Sequence, residues 1–385
     1  MNMSSLDTVF AGFVDDYLKL CELLRSFDLP SYTLFDEFKS MVENSHRVLC
    51  VGTGRSGDVA DILSKFLRNI GFHSYGPEEL PYMFGKDDLV VAISGSGSTP
   101  YTLEIARFAK DIGIPIVGFT SNMDSPLARF LDLVFHVPGA PRRKPLRYEV
   151  VSLSGVYSTP LLMLGGTLFE LRSLLLILSF IGYTALGLDP YKIFADLVSL
   201  CISFKPNPDQ VKSLYTLIPK PRSVSNPLSG KVVAVGEGLS GIVVRFFITR
   251  LRHCAHPDEE RICFYWRDRG SVALRPGDLT LIVSGSGEGV PAIMARIAKM
   301  KESRVASITS YLNSELAKLS DVVVYVPGRI LQRIEGLRGS YLPTDPRHSI
   351  FELRTILLLE TFIQSIARIE GLTERDLWAH HPDFI

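Results

Sequence analysis

Residues 94–100 read SGSGSTP, and residues 284–290 read SGSGEGV. Each follows an apolar run, LVVAI (89–93) in one place and LTLIV (279–283) in the other. The same small, glycine-spaced, hydroxyl-bearing loop after the same kind of segment points to a repeat, and two further matches support it. HRVLCVGTGRSGDVADILSKFLRNIGF (46–72) parallels GKVVAVGEGLSGIVVRFFITRLRHCAH (230–256), with Gly54 against Gly238. GGTLFELRSLLLILSF (165–180) parallels RHSIFELRTILLLETF (347–362), with Glu170 against Glu352. The three matches keep their order, at offsets of 184, 190 and 182 residues. The chain is a duplicated domain of about 190 residues, with expected domains at 1–190 and 191–385. Pro206, Pro208, Pro219, Pro221 and Pro227, with Ser and Asn between them, mark the connecting segment.

Within each copy, short apolar strands alternate with helical patterns. The first copy gives strands at RVLCVG, LVVAIS, PIVGFT and LVFHVP, with helices at 56–70, 100–111 and 124–131 between them. The second fills the same slots with VVAVG, LTLIVS, VASIT and VVVYVP. Unbroken apolar strands separated by helices predict a parallel sheet covered on both faces. The expected fold class is α/β: two doubly wound parallel-sheet domains in tandem, with helical extensions.

Composition narrows the partners. Hydrophobic residues make up 46% of the 385, charged residues 21%, and acids and bases balance at 41 each. That balance argues against nucleic acid or an anionic membrane as the main partner. The start, MNMSSLDTVF, lacks the pattern of a secretion signal. Cys21, Cys50, Cys201, Cys254 and Cys263 are odd in number and form no CxxC. A cytoplasmic setting without disulfides is expected. Leu174–Leu188 is apolar but short of the roughly 20 residues a membrane helix needs, so it reads as a buried core helix. HPDEERICFYWRDRG (256–270) groups His, Asp and Glu, yet the spacing is not a helical HxxxH and Pro257 interrupts it. No metal and no cofactor are expected.

Both serine loops fall at the carboxyl end of a strand and the start of a helix, where open α/β sheets bind ligands. Gly95 lets a ligand approach the backbone, Ser94, Ser96 and Thr99 offer hydroxyls, and the helix N-terminus favours an anion. Ser284 and Ser286 repeat the arrangement. Together these make a phosphate cradle; a serine-rich turn that caps a helix is the plainer alternative. GTGRSG (52–57), with Gly54, Arg55 and Ser56, comes near a dinucleotide fingerprint. Its third glycine is displaced and no acidic residue follows at the expected place, so NAD is not indicated.

GTGRSG, SGSGST and a helical LFE in this order resemble the sugar isomerase (SIS) domain of phosphosugar isomerases and phosphosugar-binding regulators. The GxGRSG form of the first loop and the ending GLTERDLWAHHPDFI (371–385) are most similar to 6-phospho-3-hexuloisomerase. The resemblance covers nearly all of both copies. It implies flavodoxin-like SIS sheets, a phosphosugar ligand, and an isomerase that converts hex-3-ulose 6-phosphate to fructose 6-phosphate and back. Because such domains are commonly single and associate, the tandem chain looks like a fused pair, and a homodimer is an open expectation.

The copies depart from the pattern differently. Copy one keeps Arg55 and Thr99 where copy two has Leu239 and Gly289. Copy two keeps the helix-end histidine, His253, where copy one has Asn69, and only the C-terminal tail carries His380 and His381. The second cradle is therefore expected to lack a cation and a hydroxyl. The complementary losses lead to the expectation of one competent, composite site per chain.

Isomerisation through an enediol needs a base to move a carbon-bound proton and a donor for the developing oxyanion. It requires no metal when those groups are in place. Glu170 and Glu352, each on an apolar helix, suit the base because partial desolvation raises a carboxyl toward neutrality. A surface glutamate paired with Arg172 is the other reading of Glu170. His253 suits ring opening or hydroxyl proton transfer, or is a packed histidine. Arg142, Arg143, Lys144 and Arg147 read as a solvated loop before a lid. Two alternatives stand: another tandem-SIS isomerase of phosphoglucose/phosphomannose type, and a non-catalytic phosphosugar-binding regulatory protein. The retained glutamates favour an enzyme.

Overall fold

The computed structural model describes residues 3–140, 167–268, 273–329 and 345–380. Three helices, α1 (Met3–Ala11), α2 (Phe13–Arg25) and α3 (Tyr32–Glu43), lead into β1 (Arg47–Val51). Then come α4 (Gly54–Asn69), β2 (Ser74–Tyr75), β3 (Asp88–Ile93), α5 (Pro100–Ile112), β4 (Ile116–Thr120) and β5 (Leu133–His136). The helices α6 (Thr167–Leu186), α7 (Pro190–Ile202) and α8 (Pro208–Leu217) precede β6 (Val232–Val235) and α9 (Gly238–His253). The chain continues through β7 (Cys263–Tyr265), β8 (Leu279–Val283), α10 (Val290–Met300), β9 (Arg304–Thr309), α11 (Glu315–Leu319) and β10 (Val322–Tyr325). It closes with α12 (Ile350–Ile369) and α13 (Glu374–Ala379).

Two five-stranded parallel sheets result, ordered β2-β1-β3-β4-β5 and β10-β9-β8-β6-β7. Read from the other edge, the second has the order of the first. The doubly wound α/β class expected from the alternating texture is present twice. The edge strands β2 and β7 are additions that the sequence pattern did not announce. The short helix expected at 124–131 is a single 3₁₀ turn, Leu127–Arg129.

By packing, the chain forms two compact units that do not follow a single cut at residue 190. The first takes in Leu23–Ser199 with Tyr341–Arg347. The second takes in Met1–Glu22, Leu200–Ser340 and His348–His381. In the first unit, Leu49, Val51, Val90 and Ala92 of the sheet pack against Ala106 and Ala109 of α5. The small alanines let the helix lie close to the strands. Phe38 of α3 covers the opposite face, 5.5 Å from Phe135, which stacks on Phe119 at 4.6 Å. In the second unit Val235 and Ile282 meet Ala295 and Ala298 of α10 in the same way. The apolar helix expected near 174–188 is α6, which starts earlier; every side chain from Thr167 to Gly182 is buried. It is long and apolar enough to cross a membrane by length and composition, and here it is a core helix.

Helix ends in the two copies differ at one instructive place. α5 stops at Gly113, with φ +81°, a left-handed cap that glycine adopts without cost. After α10 the left-handed position is held by Glu302, exposed and at φ +57°. A side chain there costs about 1 kcal/mol. Glu302→Gly is expected to stabilise the second unit by about that amount and raise its melting temperature by about 2–4 °C. Calorimetry showing no gain would mean that the Glu302 side chain compensates for its backbone.

Candidate active site

The site is set by the turns that follow β1 and β3. These strands are neighbours at the point where the sheet order reverses, the crevice that open α/β sheets offer to ligands. The first turn is tight because its outer glycines face each other. A Cβ at Gly52 would stand 2.7 Å from the Ser56 carbonyl oxygen, and one at Gly57 would stand 3.0 Å from that of Gly52. This packing accounts for the glycine spacing without a dinucleotide. It starts α4 at Gly54, with Arg55 and Ser56 in its first turn.

Arg55 and Ser56 both turn to Glu170, in the first turn of α6. Ser56 Oγ donates to Glu170 Oε1 at 3.2 Å, and Arg55 Nη2 lies 3.6 Å from Oε2. Arg55 Nη1 donates to Thr167 Oγ1 at 2.6 Å. Arg55, Thr167 and Glu170 are buried, and Ser56 is half-buried. Glu170 does not pair with Arg172, whose guanidinium reaches the carbonyls of Pro138 and Leu23 at 2.7 Å. Burial lowers the Arg172 pKa to about 10.

The serine loop adjoins this cluster. A Cβ at Gly95 would fall 2.6 Å from Ala140 Cβ and 2.8 Å from the Phe169 ring, so the loop runs against the residue before Glu170. Ser94 Oγ and Thr99 Oγ1 share a hydrogen bond at 3.1 Å, and Ser96 Oγ accepts the Ser98 N–H at 3.3 Å. Thr99 forms no side-chain cap on α5. One hydroxyl-rich loop, a helix N-terminus and a buried carboxylate with a cation beside it thus sit at the ends of two adjacent strands. The 142–147 basic run lies outside the described residues.

In the second unit Ser284 Oγ accepts the Gly287 N–H at 3.1 Å, and Ser286 Oγ accepts the Glu288 N–H at 3.4 Å. Ser240 Oγ donates to Glu352 Oε1 at 3.1 Å. Leu239 stands where copy one has Arg55, and Glu352 has no ion pair among the described residues. Burial pushes its carboxyl above the ordinary value; Arg329 and the Ser240 hydrogen bond pull the other way without offsetting it. His253, also buried, ends α9, about 20 Å along the helix from Ser240. Within its own unit it is therefore remote from Glu352. His380 Nε2 sits 2.9 Å from the His256 carbonyl oxygen, and His381 lies outside the described residues.

A raised carboxyl has a defined stability signature. Between the unfolded and folded pKa values the unfolded chain holds fewer protons, so stability falls as pH rises through that window and is fully present below it. Glu352→Gln removes the titration. The variant is expected to gain on wild type as pH rises above the ordinary carboxyl pKa of about 4. Parallel melting curves at every pH would show that Glu352 titrates normally.

A protein-family model described as SIS domain matches residues 41–164. Over 166 residues the chain is 36% identical to a protein of Aeropyrum pernix, covering 42% of this chain and 77% of that one. It is 30% identical over 180 residues to the 3-hexulose-6-phosphate isomerase of Mycobacterium gastri, covering 46% of this chain and 82% of that protein. The chain belongs to the SIS domain family. The C-terminal domain of glucosamine-fructose-6-phosphate aminotransferase from Francisella tularensis has this fold, with a TM-score of 0.59 and 13% identity over 96% of this chain and 97% of that one.

Two features of the SIS units escape a reading of motifs alone. Thr167 is the anchor of Arg55, and no motif marks it. Arg329, after β10, lays its side chain against Gly285: a Cβ there would meet Arg329 Cβ and Cγ at 2.9 Å. Leu239 leaves its own position without a cation, and the Arg329 side chain lies against the second loop from elsewhere in the chain. The signal was present in the repeat, where VPGAP (137–141) aligns with VPGRI (326–330).

Proposed function

We propose that this SIS protein is a phosphosugar isomerase that interconverts hex-3-ulose 6-phosphate and fructose 6-phosphate through an enediol. The observation that carries the reading is the buried Glu170 carboxylate, held by Ser56 beside Arg55 and next to the hydroxyl loop. The 3-hexulose-6-phosphate isomerase relative supports the choice of sugar. The phosphate would rest on Ser94, Ser96 and Thr99 at the N-terminus of α5. Glu170 takes the proton from C2 of the 3-ulose, forming a C2–C3 enediol. Its return to C3, with the hydroxyl proton passing from O2 to O3, leaves the ketone at C2. No atom is gained or lost. Arg55 is the nearby cation for the developing oxyanion.

Carbon-13 NMR of the purified protein with either sugar phosphate tests this. Interconversion, with deuterium entering the shared carbons in heavy water, is the expected result. Failure to convert either sugar would overturn the reading, and binding without turnover would move the chain to the regulatory alternative. Replacing Ser96 and Thr99 together by alanine is expected to weaken phosphosugar binding by about 1–3 kcal/mol. Equal thermal protection of variant and wild type by fructose 6-phosphate would place the phosphate elsewhere.

A further inference from the structure

In the second copy the arginine has changed loops. After Gly139 the first copy has Ala140, whose Cβ faces Gly95; after Gly328 the second has Arg329, whose Cβ, Cγ and Cδ run across Gly285. The Arg329 backbone is fixed at both ends. Its N–H donates to Ser310 Oγ at 3.1 Å, and its carbonyl accepts from Tyr311 Oη at 2.7 Å. One residue earlier but one, the Pro327 carbonyl accepts from Arg354 Nη1 at 2.7 Å. A Cβ at Gly328 would touch Phe351 N at 2.8 Å, so this turn leans on the first turn of α12, where Glu352 sits.

The charged ends are not locked together. Arg329 and Glu352 attract each other electrostatically, yet among the described residues Arg329 forms no ion pair. Glu352 is 93% buried by its 7% exposure, with Oε1 held by Ser240 and Oε2 without a hydrogen-bond partner among the described residues. A buried carboxylate oxygen left in that state is costly, and a ligand hydroxyl would relieve it. The one acid in the loop, Glu288, has its carboxylate on the Glu315 N–H at 3.1 Å, at the start of α11. In copy one, by contrast, the arginine and the glutamate of the site face each other at 3.6 Å.

We infer that the second copy holds a phosphosugar site of its own, in which Arg329 takes the anionic end of the ligand over the Ser284–Gly289 loop and Glu352 Oε2 takes a sugar hydroxyl. The inference rests on the proposed phosphosugar reading and extends it. The two copies are then two unequal sites, one with its arginine tied to the carboxylate and one with its arginine left for the ligand.

Calorimetric titration of the full chain with fructose 6-phosphate tests it. Wild type is expected to bind at two sites of unequal affinity. Arg329→Ala should weaken one of them by about tenfold or more, the loss of a charge-assisted contact, with Arg329→Lys intermediate and melting temperatures unchanged. The Ser94→Ala, Ser96→Ala variant should weaken the other. A single wild-type site that survives Arg329→Ala, or two sites that both survive it, overturns the inference and leaves the first-copy reading standing. No binding at either site overturns the phosphosugar reading itself.

Discussion

Glu170→Gln is expected to remove isomerase turnover, by about 10²–10⁴-fold, while phosphosugar binding stays near that of wild type. Glutamine keeps the shape and can still accept from Ser56, so the first turn of α6 is undisturbed. It cannot take a carbon-bound proton. The substitution also removes an anionic partner from the buried Arg55, so some loss of stability accompanies it. Turnover is therefore measured well below the variant's melting temperature, with binding followed separately. A fall in kcat at constant affinity is the signature of a group that acts in the transition state. Full activity in the Glu170→Gln, Glu352→Gln double variant would rule out a carboxylate base.

The largest structural effect is expected at Gly97. Its φ of +63° lies where a side chain is strained, and a Cβ would collide with Ser125 Oγ and lie 2.5 Å from Ser125 Cβ. Ser125 is fully enclosed, and its Oγ accepts the Ala128 N–H at 3.3 Å. Gly97 also ties the loop down: its N–H donates to the Ser94 carbonyl at 3.2 Å, and its carbonyl accepts from Leu127 N–H at 3.0 Å. Neither wall can move without loosening the loop. Gly97→Ala is expected to destabilise the first unit by about 2–4 kcal/mol. With two units, unfolding need not be one transition. Gly97→Ala should shift the transition of the first unit, and Gly287→Ala, which meets Ser314 in the same way, that of the second. Coincident shifts of the whole curve by either variant would show that the units melt together.

How much of this could be read from sequence depends on the range of the interaction. The strands at 47, 88, 116 and 133 and their repeats are dense β-branched runs, and burial on both faces leaves such runs few alternatives. The two serine loops were visible because a turn, two glycines and a helix start are all local. β2 and β7 are two and three residues long, too short to carry a period. The link from Arg55 to Thr167 and Glu170 spans more than a hundred residues and obeys no spacing rule. Arg329 lay in plain sight, but only for a reader who aligned the residue after each closing strand. The grouping of Met1–Glu22 with the second unit has no local signal, since α2 has the same amphipathic character wherever it docks.

That grouping bears on how the protein is made. Phe13, Tyr17, Leu20 and Cys21 are fully buried, with the Tyr17 hydroxyl on the Cys201 carbonyl at 3.2 Å. They leave the ribosome before the rest of the core they complete, which begins at Leu200, 178 residues after Glu22. At ordinary rates of synthesis they wait roughly 10–35 s for a partner. Over that interval residues 13–22 of α2 wait unburied, while Leu23, near its end, already belongs to the first unit. Translation that halts before Leu200 leaves that stretch in water for good.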